Sequence, residues 1–135
     1  MADTVLDASA ILAYLQQEPG ADRVESRLLD QRCLLLTVNL TEVLTRLADW
    51  NMPVAEAEGL IAGMDIEIVP YDQALARLAA ELRPATRALG LSLGDSACLA
   101  LAKARNVAAV TADRAWLQLD PGLGISVESI RDGGH

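Results

Sequence analysis

The stretch GDSACLALAKARNVAAVTAD, Gly94 to Asp113, decides the architecture. Gly94 to Arg105 is apolar on nearly every side of a helix, so that helix is expected at the centre of the molecule. Val107 to Thr111 then reads as a strand with both faces apolar, the pattern of a parallel sheet covered by helices on both sides. An acid stands at each end of this unit: Asp95 in the first turn of the helix, Asp113 just past the strand.

The same alternation runs outward along the chain. Buried strands are expected at Thr4 to Asp7, Leu34 to Val38, Ile66 to Val69 and Ile125 to Glu128. Between them, amphipathic stretches predict helices over Ser9 to Gln16, stopped by Pro19-Gly20, and over Asp22 to Leu29, with Val24, Leu28 and Leu29 on one side. Further helices are expected from Asn39 to about Asn51, from Pro53 to Gly63, and from Asp72 to about Leu89 with a possible break at Pro84. A short helix is expected at Arg114 to Leu117. The expectation is an α/β fold, a three-layer α/β/α arrangement with a mainly parallel sheet of about five strands. The 135 residues read as one domain, 1–135, with Arg131 to His135 as a frayed tail.

Composition narrows the function. The chain is 52% hydrophobic and 22% charged, as expected of a folded domain. Its aromatics are Tyr14, Trp50, Tyr71 and Trp116, too few for a row of base-stacking rings. No apolar run approaches the roughly 20 residues of a membrane span, and Asp3 and Asp7 replace the basic flank of a secretory signal. Cys33 and Cys98 lie in apolar surroundings and read as reduced, buried thiols, which points to the cytoplasm. With His135 the single histidine, neither a zinc site nor a serine–histidine or two-histidine mechanism is available. The net charge of -8 is unusual for a nucleic-acid enzyme and natural for a protein that binds cations or a basic partner.

Four acids occupy comparable places. Asp7 closes the first strand, Asp113 follows the fourth, and Glu42 and Asp95 lie near helix starts. Each has an ordinary reading: Asp7 and Asp113 as N-caps, Asn39 with Glu42 as a capping box, Asp95 as a complement to the helix dipole. Together they point elsewhere, because a parallel sheet gathers strand ends and helix starts on one edge, where ligands bind. Asp95 has apolar neighbours, Leu91, Leu93, Ala97 and Cys98, and no Lys or Arg within five residues. Two carboxylates about 5 Å apart repel by roughly 3 kcal/mol at an effective dielectric of about 20, and four could reach about 10 kcal/mol. A hard divalent cation removes that repulsion; oxygen-only ligands select Mg²⁺ or Mn²⁺.

The segments Val5-Leu6-Asp7-Ala8-Ser9-Ala10, Asn39-Leu40-Thr41-Glu42-Val43, Leu91-Ser92-Leu93-Gly94-Asp95-Ser96-Ala97 and Thr111-Ala112-Asp113-Arg114-Ala115-Trp116 resemble, in order and spacing, the successive acidic motifs of PIN-domain nucleases. Length and acid set resemble the VapC toxins of toxin–antitoxin pairs. The resemblance implies Mg²⁺- or Mn²⁺-dependent cleavage of RNA, with Asp7, Glu42, Asp95 and Asp113 as metal-binding catalytic acids. It places Ser9 and Thr111 as supporting hydroxyls, whose ordinary reading is helix capping and strand-end bonding. It implies a cognate antitoxin and a homodimer, with helices such as Ala55 to Met64 available to an interface. Some relatives carry a further acid after the Asp113 position; Leu117 and Leu119 stand here, leaving one or two ions open. Hydrolysis by a metal-activated water needs no side-chain nucleophile. Phosphate contacts would come from Arg83, Arg87 and Arg114, which otherwise read as solvated helix ends.

Three rivals remain beside this reading. A phosphoacceptor domain would want adjacent acids and a lysine on a strand end, whereas Ala8 follows Asp7 and Lys103 lies mid-helix. A catalytically inactive interaction module keeps the fold without the chemistry. A DNA-directed or structure-specific nuclease would use the same acids.

Overall fold

The computed structural model describes residues 3–131. Five parallel strands, β1 (Asp3–Leu6), β2 (Arg32–Leu36), β3 (Glu67–Val69), β4 (Ala108–Thr111) and β5 (Val127–Ser129), form one sheet in the order β3-β2-β1-β4-β5. Six helices connect them: α1 (Ala8–Leu15), α2 (Ala21–Asp30), α3 (Thr37–Asp49), α4 (Val54–Gly63), α5 (Gln73–Ala88) and α6 (Leu93–Arg105). Two 3₁₀ helices, Arg114–Gln118 and Pro121–Leu123, lie between β4 and β5; the second has no counterpart in the sequence reading.

The period-2 alternation of the strands divides the core into two halves. Val5, Leu34, Leu36 and Ala109 face a layer made with α5 and α6, whose Cys98 to Ala102 are all buried. Leu6, Cys33, Leu35 and Val110 face the layer of α1, α2, α3 and α4. This is the expected three-layer α/β/α arrangement, and α6 is central because Ser96 to Ala102 is buried on every side. Both cysteines are buried free thiols. No helix among the described residues is long and apolar enough to cross a membrane.

Several local expectations are corrected. The helix after β2 begins at Thr37, directly from the strand and capped by extended Leu36, two residues before Asn39. Asn39 is therefore inside the helix, not its cap, and Glu42 lies in the second turn; there is no Asn39–Glu42 capping box. Pro84 does not break α5. Pro84 and Ala80, whose carbonyl loses its helical partner, are not buried, so water can satisfy that oxygen. On α2, Leu28 is half-buried but Leu29 is 78% exposed, because it lies five residues, about 140°, round from Val24. The last strand starts two residues later than expected. Arg131 is not frayed: its backbone N–H donates to Ser129 Oγ and its guanidinium to Glu18 at 2.9 Å. The remainder of the expected tail, residues 132–135 with His135, lies outside the described residues.

Candidate active site

The sheet order reverses direction between β1 and β4, and their carboxyl ends diverge there. In doubly wound sheets this switch point is where ligands bind. Asp7 follows β1 directly, its N–H donating to Val110 O at 3.0 Å. Asp113 follows β4, Glu42 comes from α3, and the connection through α5 returns α6 with its N-terminus, and Asp95, to the same edge. All four acids, with Ser9, Leu12 and Arg46, line one depression of about 240 Å³. The charges of three of these acids also reach buried Cys98 on α6. Burial pushes its thiol well up, and the charges of Asp7, Asp95 and Glu42 push it further.

Three helix starts point into the depression. Asp7 Oδ1 accepts from Ala10 N at 2.8 Å, capping α1. Asp113 Oδ1 accepts from Ala115 N at 2.9 Å, capping the first 3₁₀ helix. Asp95 Oδ2 accepts from Ser92 N at 2.8 Å while Ser92 Oγ accepts from Asp95 N, a reciprocal capping box. The ordinary reading of these three acids is thus correct as far as it goes. The partial positive charge of each helix start offsets part of the carboxylate repulsion. Asp113 Oδ2 and Asp95 Oδ1 take no part in these caps.

Asp7 differs from the others in burial. It is 4% exposed, whereas Asp95 is half-buried and Glu42 and Asp113 are exposed. Loss of solvent pushes its carboxyl up to about 7, against the opposing effect of hydrogen bonds from Thr111, Ala10 and Ser9; Asp95 adds a smaller push upward. The desolvated acid is therefore Asp7, not Asp95, whose neighbour Leu93 turns outward and is 75% exposed. Both hydroxyls hold Asp7: Thr111 Oγ1 donates to Oδ2 at 2.6 Å, and Ser9 Oγ lies 2.8 and 2.9 Å from the two oxygens. The same hydroxyls accept from Asp113 N and Ala112 N, so they tie the ends of β1 and β4 together.

Glu42 is held by a residue the sequence reading assigned to a cap. Asn39, 1% exposed, donates through Nδ2 to Glu42 Oε1 at 2.8 Å and to Gly94 O at 3.2 Å. A Cβ on Gly94 would come within 2.5 Å of the Glu42 carboxylate, so glycine is what admits that carboxylate beside α6. Asn39 Oδ1 is buried without a partner.

The acids suit a hard divalent cation in kind and in place: oxygen donors only, on one depression, around a desolvated aspartate. Among the described residues, however, no three acidic side chains stand close enough together to hold one ion as they are placed. Asp7 is fixed by its bonds and Glu42 Oε1 is held by Asn39, so closure on an ion would require the carboxylate oxygens outside those bonds, Glu42 Oε2, Asp95 Oδ1 and Asp113 Oδ2, to draw in toward Asp7.

The cationic candidates separate. Arg83 donates to Leu91 O at 2.8 Å and lines a different, apolar cavity between α5 and α6. Arg87 is exposed near the end of α5 and lines none of the depressions described here. Arg114 donates to Arg131 O at 2.8 Å and lines a cavity that shares no residue with the acid depression. The residue that the sequence reading missed is Arg46, which lines the acid depression itself. Its place one turn after Glu42 on α3 was the available signal.

The PIN domain family matches residues 4–120 of the chain. No curated protein matches it in sequence. Among solved structures it is similar to VapBC2 from Rickettsia felis bound to a promoter DNA fragment, with a TM-score of 0.71 and 15% identity over 94% of this chain and 98% of that one. It is similar to DNA-bound VapBC from Salmonella typhimurium, with a TM-score of 0.71 and 18% identity over 96% and 99%. VapBC-5 from Mycobacterium tuberculosis, described as a member of a family of toxin–antitoxin systems, gives 0.58 and 21% over 96% and 99%. These likenesses concern the fold; the match over residues 4–120 goes further, and with the acids and hydroxyls of all four motifs placed at one sheet edge, the chain belongs to the PIN domain family.

Proposed function

We propose that this chain is a divalent-metal-dependent endoribonuclease, the toxin of a toxin–antitoxin pair, hydrolysing RNA phosphodiesters. The observation that carries the reading is the meeting of Asp7, Glu42, Asp95 and Asp113, from four separate segments, in one depression at the switch point. Asp7, Asp95, Glu42 and Asp113 would hold one or two Mg²⁺ or Mn²⁺ ions. A bound cation would supply an activated water and neutralise charge on the phosphate. The chain's own part is preorganisation. Thr111, Ser9 and the Ala10 amide fix the Asp7 carboxylate; Asn39 fixes Glu42; the starts of α1 and α6 lend positive potential to an incoming phosphate. The proton that burial holds on Asp7 near neutrality must leave before that carboxylate can serve as a ligand. Resemblance to structures of VapBC complexes supports a cognate antitoxin as partner, and a homodimer and a cytoplasmic setting go with the same reading.

The test is incubation of total RNA with the protein and Mg²⁺, Mn²⁺ or EDTA, with cut ends mapped and single-stranded DNA run in parallel. Metal-dependent cuts in RNA, abolished by Asp7→Asn and Asp95→Asn in folded protein, are expected. Cutting of DNA alone would move the substrate to DNA, and full activity of either variant would remove the mechanism. One observation favours a second reading, a non-catalytic interaction module: three acids already serve as caps and no three of the described acids stand at ligand distance of one ion. That reading requires Mg²⁺ and Mn²⁺ to leave the melting temperature unchanged.

A further inference from the structure

The acid depression continues on one side into a second cavity of about 340 Å³. The two share Ser9, Leu12, Arg46 and Asp113, and Trp50 and Arg131 join them in the second. Arg131 also lines a third cavity, which adds Arg114 and Arg23. Four of the chain's 11 basic residues thus follow one another along a single path from the acids, on a protein of net charge -8.

Their charge is compensated only in part: Glu18 and Asp113 line the second cavity and Asp22 the third, and of these only Glu18 makes an ion pair with an arginine of the path. Arg27, Arg32 and Arg77 elsewhere on the surface pair with carboxylates. On the path, Arg23 and Arg114 donate to the carbonyls of Ser129 and Arg131, which leaves the positive charge in place. Arg46 makes no ion pair among the described residues, although Glu42 is four residues before it; its guanidinium lies 5.8 Å from the centre of the Trp50 ring. Trp50 is 45% exposed, so part of its ring is open to solvent. Arg131 is paired with Glu18, yet its Nε is buried without a partner. Gly20 makes the approach of this wall possible: its φ is +98°, and a Cβ there would lie 2.6 Å from Ile130 O.

We propose that the RNA strand leaves the acid depression along this path, a base stacking on Trp50 and successive phosphates meeting Arg46, then Arg131 and Arg114, then Arg23. The assignment rests on the nuclease reading and adds to it the direction in which the strand crosses the surface and the residues it meets. Planar guanidinium groups suit phosphate oxygens, and a ring beside them accepts any base. The acids repel phosphate until a cation arrives, so the path supplies the affinity that does not depend on metal.

The test is fluorescence anisotropy with a labelled, unstructured RNA oligomer in EDTA, where no cutting occurs, beside a cleavage assay in Mg²⁺ or Mn²⁺. Arg46→Gln and Arg114→Gln should each weaken binding roughly fivefold or more and lower the slope of log K against log salt by about 0.7 for each phosphate no longer neutralised. Trp50→Leu should weaken binding with the slope unchanged. Arg77→Gln and Arg105→Gln, away from the path, should bind within about twofold of the parent protein. Path variants that bind like these controls, in a protein that cuts RNA, overturn the path and spare the nuclease reading. Equal losses in path and control variants report diffuse charge and also overturn it. No cleavage of RNA by the unmodified protein in either metal removes the nuclease reading, and the path with it.

Discussion

Asp7→Asn tests the electrostatics of the site independently of catalysis. In the folded protein Asp7 titrates near 7, chiefly because it is buried, against an ordinary value of 3.8. The unfolded chain therefore releases this proton at a lower pH than the folded one, and the native state binds more protons between the two values. Stability from this group is complete below about pH 4, declines as pH rises, and levels off above about pH 7. At 1.36 kcal/mol per pH unit, the loss over the whole window is about 4 kcal/mol, of which about 3 kcal/mol falls between pH ~5 and pH ~8. Asparagine does not titrate, and its amide oxygen can still accept from Ala10 N. Urea unfolding in EDTA across this pH range should show the variant gaining on the parent protein as pH rises, reaching a plateau near neutrality. Magnesium at pH ~8 should then stabilise the parent and leave the variant unmoved. A difference between the two proteins that does not change with pH would refute the reasoning, because Asp7 would then be ionised throughout and its burial already offset by the helix starts.

Three further outcomes follow from the same geometry. Gly94→Ala places a methyl against the Glu42 carboxylate, and the flexible glutamate moves away; thermal stability should change by about 1 kcal/mol or less, since alanine favours the helix, while cleavage falls at least tenfold. Asn39→Ala frees Glu42 at a stability cost of about 1 kcal/mol, with a larger fractional loss in kcat than in the folded fraction, read by single-turnover kinetics beside a melting curve. Mn²⁺ affinity, measured by calorimetry, should rise up to about tenfold per pH unit below pH ~7 and flatten above it, as the proton on Asp7 ceases to compete; an affinity independent of pH between ~5.5 and ~7 would contradict the burial of that carboxylate.

What could be read from the residues differed between strand and site. The central strands were legible because they are short and apolar on both faces, as in Leu34 to Leu36 and Val107 to Thr111, whereas β5, Val127–Ser129, with one apolar residue, was placed two residues early. The boundary at β2 and α3 was not, since Leu36 leads into Thr37 with no loop and the sequence offers Asn39 as a more familiar start. Leu29 and Leu93 were misplaced because apolar identity alone does not fix the azimuth of a residue on its helix.

By itself the sequence determined the parallel α/β/α architecture, the central position of α6 and the places of Asp7, Asp95 and Asp113 at strand ends and helix starts, though not that of Glu42, because hydrophobic period and local capping chemistry are properties of neighbouring residues. Only the tertiary structure decided that Asp7 and not Asp95 is the desolvated acid, that Asn39 and Gly94 position Glu42, and that Arg46 rather than Arg83 shares the acid depression. Those outcomes depend on which segments the sheet order brings side by side, and burial and electric field at a carboxylate are set by groups distant in the chain.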